Sequence, residues 1–119
     1  IWGVQSALNI LASSTTAINA LLASPRVTTI TGAPSSLGYS TLLSGNYILI
    51  RARCTSGSNY TFYYGDVYEN GSLVSTSASQ YCPSVNTWYT MMKAVKNFHF
   101  VNSGNTGQTY ELTFINANP

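Results

Sequence analysis

Apolar residues recur at spacings of three and four through the first 24 positions. Val4, Leu8, Leu11, Ile18 and Leu22 fall on one face, with Ala7 and Leu21 beside them. This periodicity predicts one α-helix over residues 1–24. Pro25 ends it, because proline lacks an N–H and disfavours helix at the residue before it. The opposite face carries Gln5, Asn9, Ser13, Thr16 and Asn19, and no formal charge precedes Arg26. A solvated helix usually bears charged pairs on its wet face, and a membrane span needs about twenty mostly apolar residues. The segment fits neither pattern, which predicts neighbours on several sides, drawn from its own domain, other subunits or a membrane. Ile1, Trp2, Ile10, Ala17 and Leu21 extend the apolar surface beyond the stripe. Ile1, Trp2, Val4, Leu8, Ile10, Leu11, Ile18, Leu21 and Leu22 are therefore the candidate self-association residues.

Beyond Pro25 the pattern shortens to a period of two. VTTITGAPSSLGYSTLLS reads as a short strand followed by a loop punctuated by Gly32, Pro34 and Gly38. NYILIRARC alternates as a strand, with Tyr47, Leu49 and Arg51 on one side and Ile48, Ile50 and Ala52 on the other. NYTFYYGDVYE and SLVSTSASQYC form a hairpin around Asn70-Gly71, a dipeptide suited to the positive φ angles of a type I′ turn. Gly65-Asp66 marks a bulge in its first arm. Residues 86–96 are ambiguous, since Trp88, Met91, Met92 and Val95 have helical spacing within a β-branched and aromatic stretch. NFHFV and QTYELTFIN read as a closing strand pair around the turn NSGNTG. Without internal repeats or a linker, the prediction is one α+β domain over residues 1–119. Its N-terminal helix (1–24) packs with an antiparallel β-sheet or sandwich of about six strands (27–119).

Cys54 and Cys82 flank the hairpin, which predicts one disulfide formed outside the cytosol. Closing that loop would contribute about 3–4 kcal/mol on the chain-entropy model. Two sequons, at Asn59 and Asn70, are candidate glycosylation sites and fit an extracellular or cell-surface setting. No signal peptide or stop-transfer segment is visible, so a mature or trimmed chain is expected. A leading helix, a β head and a disulfide together resemble the architecture of pilin-type filament subunits, although position 5 is Gln where many bacterial pilins carry Glu.

Charge changes the picture most. Five basic and three acidic residues make up 7 % of the chain, far below the roughly one quarter usual in a soluble domain. Little electrostatic repulsion keeps copies apart, and without a Lys/Arg cluster there is no footprint for nucleic acid. Catalysis is poorly supplied: Asp66 and Glu69 sit near a turn, His99 alternates with Phe98 and Phe100, and no phosphate-binding or nucleophile motif occurs. No enzyme activity, cofactor or metal is expected. Tyr60, Phe62, Tyr63, Tyr64 and Tyr68 form a possible ligand face on the hairpin, able to stack on sugar or dock a protein, or else to build the core. Arg51 and Arg53 are placed to stack on those rings. The favoured reading is an extracellular structural or adhesive subunit that self-assembles, pilus- or filament-like, through its uncharged helix. The alternatives are a secreted membrane-active toxin or effector, and a sugar-binding module that takes cell-surface glycan.

Overall fold

A computed structural model describes residues 2–38, 40–56, 61–100 and 108–118. The leading segment folds as two helices, α1 (Gln5–Ala12) and α2 (Thr15–Leu22), where one was predicted. Serine chemistry makes the break. Ser14 is extended, and its hydroxyl accepts from the Ala17 N–H at 3.2 Å, which caps a new helix. Ser13 Oγ donates to the Ile10 carbonyl at 2.8 Å, satisfying one of the groups that the end of α1 leaves open.

The strands are β1 (Val27–Gly32), β2 (Leu43–Ser56), β3 (Thr61–Glu69), β4 (Ser72–Tyr81), β5 (Tyr89–Phe98) and β6 (Thr109–Asn116), with a helical turn α3 (Pro34–Leu37) after β1. They form one antiparallel sheet in the order β1-β6-β2-β5-β3-β4. The fold is thus α+β, two short helices on a six-stranded antiparallel sheet. The closing segments do not pair with each other, because β2 lies between β5 and β6. The predicted turn NSGNTG lies outside the described residues.

Among the described residues β3 meets β5 only where Tyr68 pairs with Ala94. Beyond that point the β3–β4 hairpin curls back over the sheet. Phe62 of β3 reaches Tyr110 of β6, three places away in the strand order, at 5.1 Å between ring centroids. The Tyr110 hydroxyl donates to the Thr61 carbonyl at 3.0 Å. Leu49, Ala52, Phe62, Tyr64, Val95, Phe98, Phe100, Leu112 and Phe114 fill this curl. A second, smaller core lies under the helices, where Leu8 joins Ile48, Ile50, Met92 and Ala94.

Stacked bulges let the two cores share strands. Between the pairs Leu49–Lys93 and Arg51–Thr90, β5 holds one residue more than β2, and Met92 takes a positive φ of 48°. Between Leu49–Phe114 and Arg51–Thr113, β2 in turn holds one more than β6. Met91 therefore enters the first core and Met92 the second, which produces the helix-like spacing of Met91, Met92 and Val95 within a strand. The same irregularity breaks the predicted alternation of β2: Leu49 shares its core with Ala52 and Cys54, while Arg51 turns elsewhere. The hairpin turn forms as predicted, with φ of 53° at Asn70 and 80° at Gly71, and Gly65 takes φ 76° at a register shift in β3.

Candidate functional site

The helices spend most of their apolar surface on their own sheet. Leu8 is fully buried, and Trp2, Leu11, Ile18, Leu21 and Leu22 pack beside it against the second core. Trp2 is an internal anchor: its Nε1–H donates to the Tyr47 carbonyl at 2.9 Å and its ring lies 5.5 Å from Tyr68. Among the described candidate association residues, Val4 and Ile10 are exposed, Ile10 at 71 %. Ile1 lies outside the described residues.

The tyrosine-rich hairpin is likewise committed inward. Phe62 and Tyr64 are buried 5.4 Å apart, and Tyr68 stacks near Trp2. Tyr63 is half-buried, and Tyr60 lies outside the described residues. Arg51 and Arg53 do stack on an aromatic ring, but it is Trp88, at 3.8 and 4.5 Å from the two guanidinium carbons. Arg53 Nε also donates to Glu111 Oε1 at 2.8 Å. Burial pulls the Arg51 pKa down, with Glu111 opposing and Arg53 reinforcing that shift. Sequence reading missed Trp88 because it precedes β5 and reaches the arginines only through strand pairing.

Cys54 and Cys82 are free thiols, not the predicted disulfide. Both are wholly buried in the first core. Cys54 Sγ donates to the Ser56 carbonyl at 3.1 Å and Cys82 Sγ to the Gln80 carbonyl at 3.6 Å, so each thiol hydrogen bonds within its own segment. Burial raises both thiol pKa values, that of Cys82 to about 11 with a contribution from neighbouring Cys54. Among the sequons, Asn70 is exposed at the hairpin tip, while Asn59 lies outside the described residues. His99 is half-buried, and its Nδ1 lies 3.2 Å from the Asn97 carbonyl. Among the described residues no three His, Cys, Asp or Glu side chains gather as metal ligands.

Among the described residues the sheet has two edges, β1 and β4, and they differ. β4 is ten residues long, carries no charge or proline, and exposes Leu73, Val74 and Tyr81. Its pairing with β3 shifts register three times, and the Ser75 hydroxyl accepts from the Ser77 N–H at 3.3 Å. Bulges of this kind bend an edge away from a flat template. β1 is six residues long and also uncharged, but it pairs with β6 without a shift from Val27–Ile115 to Gly32–Tyr110. Five of its six residues are β-branched (Val27, Thr28, Thr29, Ile30, Thr31), which suits a strand, while its place at the edge follows from the strand order. No protein-family model, curated protein or solved structure matches the chain.

Proposed function

We propose that the chain is an extracellular structural or adhesive subunit that associates with copies of itself, in a filament or a smaller oligomer. The observation that carries this reading is where the few charges go. Arg51 and Arg53 lie over Trp88, Arg53 pairs with Glu111, Arg26 turns onto the carbonyls of Asn116 and Asn118, and the other four, Asp66, Glu69, Lys93 and Lys96, sit on β3 and β5. Both sheet edges and the outer faces of α1 and α2 are left with none. Two copies can meet on such surfaces without desolvating ions, and Ser, Thr and Asn can bond across the contact. The extracellular setting rests on the exposed sequon at Asn70 and on the polar, uncharged composition. It no longer draws on a disulfide.

A membrane-active role would require the helices to leave the sheet and uncover Leu8, and among the described residues no helix is long and apolar enough to cross a membrane. Light scattering behind size-exclusion chromatography, with negative-stain electron microscopy of the same fractions, tests the reading. It predicts masses above one chain that rise with concentration in the absence of lipid. A single monomeric species throughout, with leakage from liposomes, would contradict it.

A further inference from the structure

We propose that the outer edge of β1 is the self-association surface, and that its occupant is β1 of a second copy in an antiparallel, two-fold pair. This rests on the reading of the chain as a self-associating subunit and names the surface it uses. Among the described residues β1 and β4 are the two edges of the sheet, and the outward backbone groups of an edge meet no strand; at the start of β1 the Val27 N–H donates instead to the Ser24 carbonyl at 3.2 Å. β4 has bulges that spoil it as a template, whereas β1 keeps one register along its whole length.

Side chains favour the same edge. Val27 belongs to the core under the helices and Ile30 to the core inside the curl, and both remain half-buried. A partner strand laid beside β1 would complete the burial of both at once, continuing the two cores through the pair. Thr29 and Thr31 are exposed and need no charged partner. The segment contains no charge, so a two-fold pair brings no like charges together, and a copy of itself is as complementary as any other strand. Pro25 and Pro34 bracket the strand and confine the pairing to it.

The test compares three variants of the full chain with wild type by analytical ultracentrifugation over a wide concentration range. Thr29→Lys/Thr31→Lys places ammonium groups on the β1 edge, Thr76→Lys does so on β4, and Ile10→Lys on the outer face of α1. Far-UV circular dichroism and protection of the buried thiols establish that each variant is folded. The expected result is self-association of wild type, weakened about tenfold or more by Thr29→Lys/Thr31→Lys and little changed by the other two. If wild type associates and the β1 variant associates equally well, the β1 assignment is wrong and the self-association reading stands. A wild type that stays monomeric at every concentration overturns both.

Discussion

Replacing Leu8 by alanine tests whether the helices belong to their own sheet. Leu8 has no exposed surface and packs among Ile48, Ile50, Met92 and Ala94. Truncating a fully buried leucine costs about 2–5 kcal/mol, the spread reflecting how far the surroundings close over the cavity. Two eight-residue helices joined at Ser13-Ser14 can settle partway into the gap, which places the expected loss near 3 kcal/mol. Against a total stability of about 5–15 kcal/mol this is a large fraction. With a urea dependence of about 1–3 kcal/mol/M, the unfolding midpoint should fall by roughly 1–3 M. Ile10→Ala, at a position 71 % exposed, should change stability by no more than about 0.5 kcal/mol. Urea titrations followed by tryptophan fluorescence measure both. The loss at Leu8 should be the same at low and high protein concentration, because the contact lies within one chain. A small effect at Leu8, or one that grows on dilution, would refute this packing and return the helix to the subunit interface.

Thiol reagents should find Cys54 and Cys82 unreactive in the native protein and two free thiols once it is unfolded without reductant; none on unfolding would mean the pair is oxidised. Burial raises the pKa values of Cys54, Cys82, Tyr64 and Tyr110, so the folded state holds these protons more tightly than the unfolded chain. For Cys82, stability is therefore fully present below its unfolded value of 9.0 and falls as pH rises toward about 11. Urea midpoints at pH 8 and pH 10.5 should differ in that direction, and an unchanged midpoint would count against these groups being buried. Gly71→Ala should cost about 1–2 kcal/mol at its φ of 80°, measured by thermal unfolding, whereas a neutral result would mean the turn is not type I′.

Local chemistry was the legible part of the sequence. Asn70-Gly71 announced its hairpin because the dipeptide itself tolerates the required backbone, and Gly65 announced its bulge for the same reason. Alternation marked β2, β3, β4 and β6 and the short strand β1, but not β5, which occupies the ambiguous stretch and ends at Phe98, inside the predicted strand NFHFV. The break at Ser13-Ser14 was less visible, because serine inside a helical pattern either points outward or caps, and only the bond from Ala17 decides between them. Residues 86–96 read as ambiguous because a bulge that sends Met91 and Met92 into opposite cores imitates helical periodicity inside a strand. Arg51 was assigned to the wrong side of β2 by the same mechanism, since a bulge in one strand resets alternation without leaving any glycine to mark it. The fate of Cys54 and Cys82 depended on their burial and carbonyl partners in three dimensions, which spacing does not encode.

Amide hydrogen exchange as a function of protein concentration tests the β1 interface most directly. Among the described residues no strand meets the outward N–H groups of β1 in a single chain, and apart from that of Val27, which donates to the Ser24 carbonyl, they should exchange readily in dilute protein and slow as copies pair. Mass spectrometry of peptides covering residues 27–32 is predicted to show protection that rises with concentration, while peptides from β4 and from α1 keep the same exchange rates throughout. Exchange in β1 that is independent of concentration in a protein that demonstrably associates, with new protection in β4 or α1, would contradict the account.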